Sequence, residues 1–188
     1  RIRKGDVDRM IRITTGIYRG RPLRMPAGIR PTQQKVRKAL FDILRDIEGV
    51  SFLELFAGSG AVALEAVSRG AASAVLVEKE SVCVEAIREN IAKLNASNCR
   101  LLPVPVYEGM RLLFREGRRF DIVFLDPPYA AGETKKILQT IDEYDILTSD
   151  GLLVIQHSIS ERLSCRHYLI KEAIYGDTKL SFFRKIPD

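Results

Sequence analysis

Asp126-Pro127-Pro128-Tyr129 gathers more chemistry into four residues than any other stretch of the chain. Two consecutive prolines stiffen the backbone and remove two N–H donors. The Asp126 side chain and the nearby carbonyls are then free to accept hydrogen bonds from an exocyclic NH2 group. Tyr129 adds an aromatic face on which a flat base can stack. An aromatic amine is a poor nucleophile because its lone pair is delocalised into the ring. Acceptors that hold both of its N–H groups favour a more pyramidal nitrogen, whose lone pair can meet an electrophile. The plainer reading is a rigid turn after a strand.

Two further features weigh against the plain turn. Glu54-Leu55-Phe56-Ala57-Gly58-Ser59-Gly60 stands between a strand-like and a helix-like segment. Small residues there let a ligand approach the backbone, and a helix N-terminus offers unpaired N–H groups. Tight turns also produce such glycine pairs. No third glycine follows at the dinucleotide offset and no Gly-Lys-Ser/Thr occurs, so neither a dinucleotide fingerprint nor a nucleotide P-loop fits. Glu78 closes the second strand-like run, about 20 residues on, where an acid can accept hydrogen bonds from both ribose hydroxyls. The alternative is a surface member of the charged cluster Glu78-Lys79-Glu80. Together the turn and the acid point to a ribose-bearing cofactor over two adjacent strands, without saying which.

The elements that must position these residues alternate. Ser51 to Leu55, Ala74 to Val77 and Phe120 to Leu125 read as buried strands, and Leu101 to Val106 as a poorer one that Pro103 and Pro105 confine to an edge or make irregular. Helices are expected from the Gly turn to about Arg69, over Ser81 to Leu94 and near Lys135 to Tyr144. Leu152 to Gln156 follows as a strand, and Leu169 to Tyr175 with Leu180 to Ile186 as a closing hairpin. Strand–helix alternation predicts an α/β fold with a mostly parallel sheet and helices on both faces. Ligands then belong at the carboxyl ends of the strands, where the chemistry lies. Upstream, Ile11 to Ile13 and Arg21 to Met25 suggest a β-hairpin around Thr15 to Gly20. Thr32 is a good N-cap for a helix with apolar Val36, Leu40, Ile43, Leu44 and Ile47. The expected division is a basic extension and hairpin over 1–31 and the main α/β domain over 32–188.

Composition narrows the classes. The 188 residues are 46% hydrophobic and 29% charged, enough for a real core and against wholesale disorder. No apolar run approaches the roughly 20 residues of a membrane helix. Cys83, Cys99 and Cys165 are scattered and odd in number, which fits reduced thiols in a cytoplasmic protein better than a disulfide framework. With His157 and His167 as the two histidines, no metal site is expected. The net charge of +6 is unevenly spread. Residues 1–40 hold twelve Lys and Arg against Asp6 and Asp8, while the rest is mildly acidic. Such asymmetry points to a polyanionic partner, with a solvated tail as the plainer reading.

The Gly turn, Glu78 and Asp126-Pro-Pro-Tyr129 resemble the S-adenosylmethionine-dependent amino-methyltransferases of the class I, Rossmann-like fold, with a seven-stranded sheet. More narrowly, the chain resembles the RsmD family of 16S rRNA guanine-N2 methyltransferases. The likeness is carried by Thr15-Gly-Ile-Tyr-Arg-Gly-Arg21, Arg30-Pro-Thr32, Val36-Arg-Lys-Ala-Leu-Phe41, Leu55-Phe-Ala-Gly-Ser-Gly60, Leu64-Glu-Ala-Val-Ser-Arg-Gly70, Val77-Glu-Lys79 and Phe124-Leu-Asp-Pro-Pro-Tyr129. It is weak beyond Tyr129. The resemblance implies S-adenosylmethionine with its ribose on Glu78, beside Lys79, and its methionine part near Phe56, Ala57, Gly58, Ser59 and Gly60. It implies a guanine held by Asp126 and the Pro127 carbonyl, beside Pro128 and stacked on Tyr129.

Glu54 stands where the family often has Asp. The family's adenine-contacting acid or amide has no clean counterpart, and Val106 or Tyr107 occupies roughly that place. Arg12, Arg19, Arg21, Arg24 and Arg30 are expected to grip RNA phosphates, with Lys35, Arg37 and Lys38 extending the surface. Arg37 equally suits a structural pairing with an acid of the body. The implied partner is 16S rRNA in an assembling small subunit, met by a monomer. Other amine methyltransferases acting on DNA adenine or other RNA, and a catalytically silent RNA-binding module, stay open as alternatives.

Overall fold

The computed structural model describes residues 11–26, 28, 34–128 and 132–186. Its centre is a seven-stranded sheet. The strands, with the helices between them, are β3 (Ser51–Leu55), α2 (Ala61–Ser68), β4 (Ser73–Val77), α3 (Ser81–Leu94), β5 (Cys99–Leu102), α4 (Val106–Arg115), β6 (Phe120–Leu125), α5 (Glu133–Tyr144), β7 (Leu147–Ser158), β8 (Tyr168–Tyr175) and β9 (Thr178–Arg184). Ahead of them run β1 (Ile11–Arg12), β2 (Pro22–Leu23) and α1 (Gln34–Leu44). The spatial order is β5-β4-β3-β6-β7-β9-β8. The first five of these are parallel, and β9 pairs antiparallel with β7 and with β8.

Alternation along each strand fills both faces. Phe52, Leu76, Ile122, Phe124 and Val154 join the core under α1 and α2. Leu53, Leu55, Val77, Val123 and Ile155 face the opposite way, onto Met110 and Leu113 of α4 and Ile137, Leu138 and Ile141 of α5. Neighbouring residues thus enter opposite cores, as a sheet covered on both faces requires. The chain leaves β3 for β4 and β5, then returns to place β6 on the other side of β3. A reversal of strand order of this kind opens a crevice at the carboxyl ends of the two strands.

The strand expected over Leu101 to Val106 ends at Leu102, and Val106 opens α4 instead. Neither Pro103 nor Pro105 can donate to a ladder, and Pro105 is well suited to precede a helix. The helix buries Val106, Gly109, Met110 and Leu113, a spacing the sequence does carry. Gly109 sits where α4 touches β4: a Cβ there would stand 2.6 Å from Val77 Cγ1. The edge position expected for β5 is the one observed. The strand expected over Leu152 to Gln156 extends at both ends to become β7. Thr32, the expected cap of α1, lies outside the described residues.

The opposite edge is β8, which exposes Tyr168, Leu169, Ile170 and Ile174. Its pairing with β9 shifts register between Leu169 and Lys171.

The two-stranded hairpin is pinned to α2. Ile13 and Leu23 pack with Ala61 and Leu64. Glu65 accepts hydrogen bonds from the Thr14 N–H at 2.8 Å and the Thr15 N–H at 3.0 Å. Ser68 takes the Ile17 N–H on its carbonyl and the Tyr18 N–H on its hydroxyl, at 2.8 and 2.9 Å. Gly16, with φ 84°, passes so close that a Cβ would fall 1.6 Å from the Ser68 carbonyl oxygen.

Candidate active site

At the carboxyl end of β3 the chain turns sharply. Phe56, Gly58 and Gly60 adopt φ of 60°, 55° and 73°. Gly60 leaves no room for a side chain, since a Cβ would lie 2.7 Å from Leu76 Cδ2. The turn is fastened from β4. Glu78 accepts the Gly58 N–H on Oε2 at 2.8 Å, and the Lys79 and Glu80 N–H groups on Oε1 at 2.8 and 2.9 Å. One carboxylate thereby fixes the turn and its own loop, and stays at the rim of the crevice. The Gly60 preference for φ > 0 and the contact with Leu76 explain why small residues are needed there.

Glu54, one residue before the end of β3, is buried and accepts the Ala63 N–H at 2.8 Å. Burial pushes its carboxyl up to about 8, with the charges of Asp126 and Glu78 adding to the shift and the Ala63 bond opposing it. Asp126 follows β6 and is partly buried. Desolvation raises its carboxyl to about 7. Its Oδ2 accepts a hydrogen bond from Gln156 Nε2 at 2.8 Å.

These groups surround one cavity of about 660 Å³, a volume in the range of small-molecule sites. Glu54, Phe56, Ala57, Gly58, Ser59, Glu78, Lys79, Val106, Tyr107, Asp126, Pro127 and Pro128 all line it. Gly60 shapes the turn from behind without lining the cavity, its neighbours Ala61 and Val62 doing so instead. Tyr129 lies outside the described residues. Val106 and Tyr107 reach the wall as the first turn of α4, and the Tyr107 hydroxyl donates to Glu133 at 3.3 Å. The cavity, bounded by the Glu78 carboxylate, a close backbone turn and the Asp126 carboxylate, has room for a nucleoside-sized ligand. Among the described residues, no group of three or more His, Cys, Asp or Glu is placed to hold a metal ion.

The family described as Conserved hypothetical protein 95 has a model that matches residues 11–184. The chain belongs to this family. Its relatives include Ribosomal RNA small subunit methyltransferase D of Escherichia coli K12, 35% identical over 156 residues, covering 81% of this chain and 77% of the relative. The YlbH protein of Bacillus subtilis is 31% identical over 186 residues, covering 93% and 99%. Among solved structures, yhhF from Escherichia coli superposes with a TM-score of 0.84 at 32% identity, covering 95% of this chain and 99% of that one. The RsmD resemblance and the class I methyltransferase fold expected from the sequence are both borne out.

Within this RsmD-family fold the basic residues divide. Arg12, Arg19, Arg21, Arg24, Lys35 and Lys38 are exposed. Arg12 also donates to the Gly20 carbonyl at 2.8 Å, Arg21 to the Lys93 carbonyl at 2.6 Å, and Arg24 pairs with Glu89. Arg30 lies outside the described residues. Arg37 is corrected: it is fully buried, 3.5 Å from Glu65 through Nε, and donates to the Arg12 carbonyl at 2.6 Å. A side chain without solvent exposure cannot meet a phosphate, so Arg37 is the structural pairing that the sequence left open.

Sequence reasoning missed Gln156, Met25 and Asn90. Gln156 read as one more residue of a buried strand. Met25 lines the cavity because Asn90 of α3 holds the backbone of Arg24, accepting its N–H at 2.7 Å and donating to its carbonyl at 3.0 Å. The same Asn90 amide donates to the Ser59 carbonyl of the Gly turn at 3.1 Å. A polar residue on the apolar face of a helix is the one sequence signal that marked it.

Proposed function

We propose that this chain transfers a methyl group from S-adenosylmethionine to the exocyclic N2 of a guanine in small-subunit rRNA. The observation that carries the reading is the Asp126 carboxylate, set at the carboxyl end of β6 on the wall of the cavity that Glu78 and the Gly turn also bound. Membership of a family with rRNA methyltransferases among its named proteins supports it.

S-adenosylmethionine supplies a methyl group already activated by a sulfonium. Glu78 and the Phe56 to Gly60 turn hold and orient the ribose and methionine ends, and the start of α4 borders the adenine. Asp126 and the Pro127 carbonyl accept the two N–H groups of the acceptor amine and aim its lone pair. Stacking on the base is the role that the family resemblance implies for Tyr129. The acceptor nitrogen loses its proton to water once methylated, so no dedicated base is needed. Rate enhancement comes chiefly from positioning. The target base must be unstacked to reach the cavity. The exposed arginines and lysines of the hairpin and α1 grip the surrounding phosphates.

Small-subunit particles lacking the modification, incubated with methyl-labelled cofactor and digested to nucleosides, test the reading. N2-methylguanosine is the expected product. N6-methyladenosine would overturn the base, and label absent from RNA would overturn the substrate class.

A further inference from the structure

Gln156 has no part in the reaction as derived above, yet its side chain is spent on the reacting end of the sheet. β6 and β7 are parallel neighbours with Leu125 opposite Ile155, so the residues that follow, Asp126 and Gln156, emerge side by side. Gln156 is 7% exposed. Its Nε2 donates to Asp126 Oδ2 at 2.8 Å, while its Oε1 is buried with no hydrogen-bond partner. A buried acceptor left unpaired costs about 1–3 kcal/mol. A leucine of similar volume would avoid that cost, as the neighbouring strand positions Ile155 and Val154 do. The bond to Asp126 roughly offsets that cost, so the amide brings little net stability over a leucine. Its single hydrogen bond among the described residues goes to Asp126.

We propose that Gln156 is a positioning residue for methyl transfer: its amide grips Oδ2 of Asp126, orients that carboxyl group, and leaves Oδ1 as the acceptor for the amine. The proposal rests on the reading of Asp126 as the amine acceptor. The physical need is plain. Desolvation of Asp126 favours its neutral form, whose hydroxyl would donate toward the amine rather than accept from it. A donor fixed on one oxygen opposes that drift, since hydrogen bonds to the charged form favour it. It also fixes the plane of the carboxylate. No other side chain among the described residues donates to Asp126.

The test uses the intact chain in two isosteric variants, Gln156→Leu and Gln156→Met, so that a folding failure of one leaves the other. Carbon-13 NMR titration of the Asp126 carboxyl, with no substrate present, reads the grip directly. The titration midpoint is expected to rise by about one pH unit when the amide donor is removed. The acid limb of the kcat profile should move up with it, with kcat at pH 7 down about fivefold and S-adenosylmethionine affinity within about twofold of the parent. An unmoved midpoint in a folded variant overturns the proposal even if N2-methylguanosine is made. A moved midpoint with a methylated product other than guanosine retires the proposed substrate and keeps the Gln156 grip.

Discussion

Arg37 Nε lies 3.5 Å from Glu65 Oε2, and neither side chain has any solvent exposure. The pair joins α1 to α2 and reaches the hairpin through both partners, since Arg37 donates to the Arg12 carbonyl and Glu65 receives the backbone of Thr14 and Thr15. Arg69 adds a second cation, with its Nε 3.0 Å from Glu65 and its guanidinium 4.7 Å over the Phe41 ring. Burial lowers the proton affinity of Arg37, and the Glu65 charge offsets only part of that. Glu65→Ala would leave the buried Arg37 charge without its ion-pair partner, at a cost of about 3–5 kcal/mol. Thermal unfolding should show a Tm lower by on the order of 10 °C. A change within a degree or two would mean that Arg37 finds water in the variant and that the network is ornamental to stability.

Asp126→Ala removes the proposed amine acceptor and little of the proposed cofactor cradle. Transfer should fall by about a thousandfold or more, with S-adenosylmethionine affinity changed no more than a few-fold by calorimetry. A large loss of affinity would reassign Asp126 to holding the cofactor.

Transfer should depend on pH around neutrality. In its proposed role Asp126 accepts from the amine only when ionised, and desolvation raises its carboxyl to about 7. Activity should therefore climb from pH 6 to pH 8 and level off above. A profile flat across that range would show that the ionisation of Asp126 does not limit the reaction.

Folding stability should run the other way. Glu54 has a folded value of about 8 against an ordinary 4.5. Between those pH values the unfolded chain binds fewer protons at this group, so its contribution is present below about 4.5 and is lost as pH rises through 8. Asp126 adds to the same slope from a lower start. Denaturant midpoints measured from pH 5 to pH 8 should fall, and Glu54→Gln should flatten much of the decline. An undiminished slope in that variant would place its origin elsewhere.

Arg19, Lys35 and Lys38 are exposed and form no ion pair among the described residues, which makes them the cleanest probes of an RNA-facing surface. Replacing Arg19 and Lys38 with Ala should weaken RNA binding and reduce the salt slope by about one unit for each phosphate no longer neutralised. An unchanged slope would leave the hairpin as a structural appendage alone.

What the sequence made legible follows from range. The strands at Ser51, Ala74 and Phe120 announce themselves through short, mostly apolar runs, and Asp126, Glu78 and the Gly turn sit at their carboxyl ends, where topology converts short motifs into one cavity. α4 was hidden because Pro103 and Pro105 dominate the reading of that stretch, although Val106, Met110 and Leu113 already carried helical spacing. Arg37 could not be told from its neighbours Lys35 and Lys38, because its burial depends on Glu65, far along the chain. Gln156 and Asn90 were opaque for a similar reason. An amide on a strand or helix declares no purpose until the group that it grips is known.

The open edge at β8 shows how charge placement can guard a sheet. A second copy meeting this strand antiparallel about a two-fold axis must set a residue against its own twin, because side chains alternate between faces. The two registers that use nearly the whole strand centre on Lys171 or on Glu172. One opposes two ammonium groups, the other two carboxylates, and like charges directly opposite are repelled. The kink in pairing between Leu169 and Lys171 further spoils the template. The segment richest in exposed apolar side chains thus disfavours pairing with its own twin, a guard written at the centre of the strand.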